Sequence, residues 1–264
     1  MVFYLILLFI ICLFIGSYSG SGNQEYDFTS EVMKYLNNHF KLGLTIKQLF
    51  ELRKKFKTNH DFLEHLSADY TPKHSNYTAG MKYKIGLLKK MLPEGAQIKT
   101  ILDIGTESLE TLDFLEEVFD GAKVRGINIE DFPHYTKFNR EDPRFQIYEK
   151  EIPFKGNDLV LIFSVLHHVH DIDEFLDETV KAADKYIIIK ENDLVDERTA
   201  YFYKIQHLVF EKYFYKNNRE AFRRYDTTFK MFEKKLAERG FSLINKIEYN
   251  NFTKTGFLVF NRDN

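Results

Sequence analysis

One turn in the sequence combines residue types that bind ligands at the end of a strand. The stretch ILDIGT, residues 101–106, runs from apolar residues into Asp103, Gly105 and Thr106, and a helical pattern follows. Glycine permits a tight backbone turn, and a helix that starts after such a turn presents amides to an anionic group. The turn indicates a nucleotide-type binding loop, although an ordinary strand-ending turn has the same few residues.

A histidine cluster is the second candidate for chemistry. His167, His168 and His170 are followed by Asp171 and Asp173. An imidazole titrates near neutral pH, so His168 is a candidate general base or a group that orients an acceptor. The alternative interpretation is a pair of structural histidines before the next helix.

The same cluster lacks the spacing of a metal site. The pattern H-x-H-x-D-H requires an aspartate four residues after its first histidine, and counting from His168 that position is Ile172. The side chains of adjacent histidines also diverge, which disfavours a two-histidine ligand set. We therefore predict no metal.

Alternating strands and helices position these candidates. From residue 98 onward, apolar strands alternate with amphipathic helices, and the last two strands have no helix between them. This order predicts an α/β, Rossmann-like, doubly wound and mostly parallel seven-stranded sheet with an antiparallel edge strand. Ligands of such sheets bind at the carboxyl ends of the strands. Asp193 ends the strand KYIIIKEND. Two roles are predicted for it: contact with a substrate at this edge, or capping of the helix that begins near Glu197.

Three regions are predicted along the chain. Residues 1–22 form a hydrophobic signal peptide or membrane anchor, residues 25–95 form a helical N-terminal region, and residues 96–264 form the Rossmann-like domain. In the helical region, Thr45 and Gln48 have the spacing of a capping box. Pro72 and Gly80 are predicted to break that region.

Composition limits the partners. The chain has 264 residues and a formal net charge of -2, so no overall positive field attracts nucleic acid, and we predict no DNA partner. Its one cysteine, Cys12, lies in the N-terminal apolar run. The rest of the chain therefore has neither an internal disulfide nor a thiolate metal site.

The ordered segments resemble those of the class I S-adenosylmethionine-dependent methyltransferases over about residues 98–262. The resemblance rests on a strand followed by Asp-x-Gly and a helix, then GINIED, NDLVLIFSVLHHV and KYIIIKEND. The segment DLVLIFSVLHHVHDIDEFLDE is the most specific part. The stretch KENDLVDERTAYFYKIQHLVFEKYF is similar to methyltransferases of large DNA viruses and some RNA viruses, so the resemblance implies a viral-type member.

The resemblance implies S-adenosylmethionine as cofactor and assigns roles to single residues. Asp103, Gly105 and Thr106 match the start of the family's glycine loop, whose amides face the methionine part of the cofactor. Glu107 stands where the family has a glycine, and its carboxylate either intrudes on the cofactor or bonds its ammonium group.

The later strands supply the remaining implied contacts. Asn128 occupies the place of the acid that holds the ribose hydroxyls, and Glu130 can substitute for it because it points to the same side of an extended chain. Ser164 lies beside the cofactor at the end of the fourth strand. His168 and Asp193 are the implied catalytic residues.

The implied function is an S-adenosylmethionine-dependent methyltransferase with an RNA end or a small molecule as acceptor. The alternative is a catalytically inactive binding module that has lost the cofactor, which Glu107 and Asn128 favour. An NAD-dependent oxidoreductase is disfavoured because the G-x-G-x-x-G spacing is absent.

The apolar run of residues 2–16 predicts association with a membrane. It carries no charge, and its length lies between that of a signal-peptide core and that of a spanning helix. The small residues 17–22 suit cleavage, and the sequons at Asn76 and Asn251 suit a lumenal or secreted domain. We expect an uncleaved anchor with the domain on the cytosolic side, where S-adenosylmethionine is made.

Overall fold

The structure is a computed structural model that divides into two compact units, residues 1–69 and 70–264. Each unit is described by itself. The described residues are 30–39, 42–67, 74–106, 108–128, 142–148, 151–208, 224–249 and 254–263. Predictions that concern residues 2–22, Glu107, Glu130 and Asn251 lie outside these ranges.

The first unit is helical, as the sequence predicted. It contains α1 (Ser30–His39), α2 (Ile46–Arg53) and α3 (Asn59–Ser67). The predicted capping box starts α2: the Gln48 amide donates to Thr45 Oγ1 over 3.2 Å, and the Thr45 amide donates to Gln48 Oε1 over 2.9 Å. These bonds satisfy amides that have no partner within the helix.

The second unit begins with a helix that is longer than the sequence suggested. Helix α4 (His74–Met91) continues through Gly80, so the predicted break at that glycine is wrong. A glycine inside a helix costs only about 1 kcal/mol relative to alanine. Burial of Ile85, Leu88 and Met91 in the core of this unit opposes that cost.

Strands and helices then alternate along the chain. The strands are β1 (Thr100–Ile104), β2 (Lys123–Asn128), β3 (Phe145–Ile147), β4 (Asn157–Phe163), β5 (Ala183–Asn192), β6 (Phe241–Glu248) and β7 (Thr255–Arg262). The helices are α5 (Leu109–Val118), α6 (Ile172–Ala182), α7 (Glu197–Leu208) and α8 (Phe229–Ala237), and a short 3-10 helix covers Leu166–His168.

The seven strands form one sheet in the order β3-β2-β1-β4-β5-β7-β6, which confirms the predicted fold class. Strands β1 to β5 pair in parallel, whereas β7 runs antiparallel to both β5 and β6. Strand β3 has three residues and is shorter than the predicted strand RFQIYEKEI.

Helices cover both faces of this sheet. Successive strand residues point to opposite faces, so Ile101 packs with α4 and α5 while Leu102 packs with α6 and α8. Two apolar cores result, one on each face. The predicted domain boundary between residues 95 and 96 stays a prediction.

Membrane association was predicted from the N-terminal apolar run alone. Within the described ranges, no helix combines the length and the apolar character that crossing a bilayer requires. The predicted anchor lies outside these ranges and stays a prediction.

Candidate functional site

The carboxyl ends of β1, β4 and β5 lie side by side at one edge of the sheet. Strand β1 pairs with β2 on one side and with β4 on the other, so the direction of chain crossover reverses between β1 and β4. Ligands of open α/β sheets bind at this reversal. The candidate residues of the sequence analysis that the structure describes gather along this edge.

The turn after β1 depends on Gly105. Its φ of 83° lies in the left-handed region, and a Cβ there would overlap the Cγ2 atom of Val165. The amides of Gly105 and Thr106 both donate to the carbonyl of Ile127, over 2.8 and 3.1 Å. The resemblance implied that amides of this loop face the cofactor, whereas these two bond to β2.

Asp103 stabilises the same turn. Its side chain is buried, and the Thr106 hydroxyl donates to the Asp103 carbonyl over 2.9 Å and to its Oδ2 over 2.8 Å. The carboxylate therefore holds the turn closed from inside the protein.

Asn128 connects β2 to this turn. It is 4% exposed, and its Nδ2 donates to the Thr106 carbonyl over 3.1 Å. Beneath it, a Cβ at Gly126 would overlap the Thr106 hydroxyl, so the backbone of β2 must come close to the turn. The amide of Asn128 thus has a structural partner at the position where the resemblance implied ribose binding.

Ser164 ends β4 in a strained conformation. Its φ is 56°, a left-handed value that is uncommon for a residue with a Cβ. Its amide donates to the Lys190 carbonyl over 2.8 Å, and the Lys190 ammonium donates to its hydroxyl. The ends of β4 and β5 are therefore joined by backbone and side-chain bonds at Ser164.

A buried histidine–glutamate pair lies on the opposite face of the same strand ends. His167 is 2% exposed and Glu191 is 0% exposed, and the His167 Nδ1 lies 3.0 Å from each Glu191 carboxylate oxygen. The amide of Asn192 donates to Glu191 Oε1 over 3.0 Å. Burial raises the pKa of the Glu191 carboxyl, but the charge of His167 and these hydrogen bonds outweigh burial and leave the pKa below its usual value.

Aromatic rings surround His167. The ring of Tyr203 meets it edge-on at a centroid distance of 5.4 Å, and Tyr225 in turn lies 6.1 Å from Tyr203. The His168 ring is half-buried, with its centroid 4.1 Å from that of His167. The Arg224 amide donates to the His167 carbonyl over 2.8 Å, so the segment before α8 crosses this histidine.

Asp193 lies at this edge and caps a helix, though a different helix from the one proposed. Its Oδ1 accepts from the amide of Phe229, the first residue of α8, over 2.9 Å. Helix α7 is capped instead by Asp196, whose Oδ1 accepts from the Thr199 amide over 2.7 Å.

The structure brings together residues that the sequence analysis did not select. Lys190 and Glu191 follow an apolar run near the end of β5, and His167 is the buried neighbour of the selected His168. The signal in the sequence was a pair of opposite charges after Ile187, Ile188 and Ile189, because apolar strands rarely bury charges without a partner. Among the described residues, no group of three or more metal-binding side chains is arranged to hold a metal.

Comparison with known proteins identifies the fold. No protein-family model matches the sequence, and no curated protein matches it. The structure of magnesium protoporphyrin IX methyltransferase from Synechocystis PCC 6803 with bound SAH matches with a TM-score of 0.50 and 16% identity, covering 74% of this chain and 90% of that chain. A putative S-adenosylmethionine-dependent methyltransferase from Listeria monocytogenes matches with a TM-score of 0.49 and 17% identity, covering 70% of this chain and 100% of that chain.

The fold is that of the class I methyltransferases. The first of these matches, together with the strand order, carries this statement. At such low identity the likeness establishes the fold alone, and fold does not imply function. The narrower resemblance to virus-encoded methyltransferases receives no support from these structures.

Proposed function

We propose that this chain is an S-adenosylmethionine-dependent methyltransferase. The observation that carries the proposal is the buried His167–Glu191 pair at the carboxyl edge of a methyltransferase fold. A buried polar pair of this kind usually stabilises a fold less than apolar side chains of the same volume do. Its position at the ligand-binding edge therefore favours a functional role.

The chemistry of the edge fits this cofactor at its amino acid end. The ammonium of Lys190 and the hydroxyl of Ser164 are donors suited to a carboxylate, and they lie on the strand ends next to the turn of Gly105. At the ribose end, the amide of Asn128 bonds to the Thr106 carbonyl, so we assign the ribose hydroxyls to Glu130.

His167 is the proton acceptor that the geometry favours. S-adenosylmethionine, when bound, supplies an electrophilic methyl group, so the protein has to orient the acceptor and remove its proton. The Nδ1 atom of His167 faces Glu191. In this proposal the Nε2 atom takes the proton from the acceptor. The Glu191 carboxylate then stabilises the imidazolium, and Tyr203 limits rotation of the ring. His168 remains the second candidate.

We favour a small-molecule acceptor over an RNA end. The proposed base is buried among aromatic rings, and a buried base suits a small hydroxyl compound better than a nucleic acid strand. Magnesium protoporphyrin IX methyltransferase, which shares the fold, acts by its name on a small molecule. Attachment to a membrane with a cytosolic domain rests on residues 2–16 alone and stays a separate proposal.

Calorimetric titration of the full chain with S-adenosylmethionine tests cofactor binding. We expect saturable binding of S-adenosylmethionine and of S-adenosylhomocysteine. Transfer of a radioactive methyl group to a panel of small hydroxyl compounds then tests the base. Substitution of His167 by Gln should lower the rate of methyl transfer without loss of cofactor affinity. A folded chain that binds neither compound overturns the proposal in favour of the cofactor-free binding module.

A further inference from the structure

In the turn after β1, the first two backbone amides already have hydrogen-bond acceptors within the protein. The amides of Gly105 and Thr106 both donate to the single carbonyl of Ile127. A ligand oxygen would have to displace that carbonyl, which belongs to the buried strand β2. Side chains at the ends of the neighbouring strands are therefore candidate donors to an anionic group at this edge.

Lys190 and Ser164 provide such donors. Parallel pairing places Lys190 of β5 opposite Phe163 of β4, and its ammonium reaches one residue further to the Ser164 hydroxyl. A hydroxyl that accepts from an ammonium keeps its own hydrogen to donate. The pair thus combines a positive charge with an O–H donor at the point where the two strands end.

The backbone of Ser164 carries strain that supports a functional role. A φ of 56° is unfavourable for serine, and such strain persists mainly where a site requires it. The next residue, Val165, fills the space beside Gly105, so Ser164 lies close to the turn after β1. Ser164 therefore lies between Lys190 and the turn of Gly105, where the cofactor is expected to bind.

The two ends of β5 show that this lysine differs from an ordinary surface lysine. At the amino end, Lys185 forms a half-exposed ion pair with Asp158 over 2.7 Å and donates to the Gln97 carbonyl over 3.3 Å. At the carboxyl end, Lys190 is half-buried, donates to the Ser164 hydroxyl, and its charge also acts on the Glu191 carboxylate. It lies at the edge where ligands of this fold bind.

We propose that Lys190, held in place by Ser164, binds the carboxylate of the methionine part of S-adenosylmethionine. This inference rests on the proposed function, because it assigns one contact of the proposed cofactor. Lys190 alternates with Glu191 along β5, so the carboxylate contact and the His167–Glu191 pair lie on opposite faces of the sheet. The cofactor would then be fixed from one face and the acceptor activated from the other.

Calorimetry on the full chain with two ligands tests the inference. The ligands are S-adenosylmethionine and its decarboxylated form, which lacks only the carboxylate. Substitution of Lys190 by Met should weaken binding of S-adenosylmethionine about 10- to 100-fold, as expected for loss of one charged hydrogen bond. Binding of the decarboxylated compound should be the same in the variant and the wild type. The matched control, Lys185→Met, should change neither affinity.

The outcomes separate this inference from the proposed function. If wild type and Lys190→Met bind S-adenosylmethionine equally, or if the variant loses affinity for both ligands to the same extent, the inference is overturned and the proposed function stands. If the wild type binds neither ligand, both are overturned. Thermal unfolding checks that Lys190→Met folds, and should it fail to fold, Ser164→Ala tests the same contact. That variant should weaken only the binding of S-adenosylmethionine, by a few-fold.

Discussion

The two halves of the carboxyl edge are built differently. In the half formed by β1 and β2, Asp103, Thr106 and Asn128 bond to one another and to the backbone. In the half formed by β4 and β5, charged side chains are held at strand ends by a strained residue and by the buried His167–Glu191 pair. The first half fixes the shape of the turn, and the second half supplies charge. In the proposed site, the Asp-x-Gly motif therefore shapes the turn, and the side chains proposed to bind the ligand come from strands further along the chain.

The largest effect should come from breaking the buried pair in the β4–β5 half. Substitution of Glu191 by Ala leaves His167 without its carboxylate in a buried position. We expect the free energy of unfolding to fall by about 3–5 kcal/mol, measured by urea denaturation. The control Lys185→Met breaks a half-exposed pair on the same strand and should cost less than about 1 kcal/mol. Equal losses in the two variants would contradict the difference between the two ends of β5.

The same pair should make stability depend on pH. The pKa of Glu191 is lowered in the folded chain: burial raises it, but the charge and hydrogen bond of His167 lower it by more. A lowered pKa adds stability above the ordinary glutamate pKa of about 4.3, and this stability is lost as the pH falls through the folded value. Urea denaturation from about pH 6 to about pH 3 should show a steeper loss in the wild type than in Glu191→Gln. Parallel curves would mean that the pair contributes no net stability.

The next effect should come from crowding the turn in the β1–β2 half. Substitution of Gly105 by Ala adds a Cβ that overlaps Val165 and places alanine at a φ of 83°. We expect a loss of about 2–4 kcal/mol from strain and overpacking together. Gly121 is the matched control, because its φ is 76° but nothing lies within 4 Å of an added Cβ. Gly121→Ala should cost only about 1 kcal/mol.

Much of the fold could be predicted from the sequence because its signals are local. Neighbouring residues alone predict the apolar runs of β1, β4 and β5 and the helices between them. The signals are the spacing of apolar residues and the turn residues at the ends of each element. Gly80 shows the limit of local signals, because packing of α4 on the sheet overrides the glycine. The short β3 shows the same limit, since its length depends on pairing with β2.

The site could be predicted only in part because its contacts are not local. Asp103 and Gly105 are two positions apart in the sequence and were selected for that spacing. The His167–Glu191 and Ser164–Lys190 contacts join residues 24 and 26 positions apart. They depend on the register of β4 against β5, and no sequence pattern of a single chain reveals that register. Asn128 illustrates the same point, because only the structure reveals that its amide bonds to Thr106.

A smaller effect should distinguish the two possible roles of Asn128. If its amide holds the turn, Asn128→Asp places a carboxylate against the Thr106 carbonyl in a buried position. We expect a loss of about 2 kcal/mol in the free energy of unfolding, larger than that of Asn128→Ala, because the alanine only leaves the carbonyl without its donor. If the residue instead holds ribose hydroxyls, Asn128→Asp should be as stable as the wild type and bind S-adenosylhomocysteine more tightly. Denaturation and calorimetry of the two variants decide between these roles.

The smallest effect should come from relieving the strain at Ser164, and its sign is the informative part. Glycine adopts a φ of 56° without the steric cost that serine has there, so Ser164→Gly should be about 1 kcal/mol more stable than Ser164→Ala. Both variants lose the hydroxyl that holds Lys190, so both should bind S-adenosylmethionine more weakly than the wild type.

Lys254 is the matched control, because it is a non-glycine residue with a φ of 45° in the turn before β7. Lys254→Gly relieves comparable strain, and its affinity should equal that of the wild type. A gain in stability at Ser164 without a loss of affinity would mean that the strain serves the fold alone, and the difference between the two halves of the edge would then have no bearing on ligand binding.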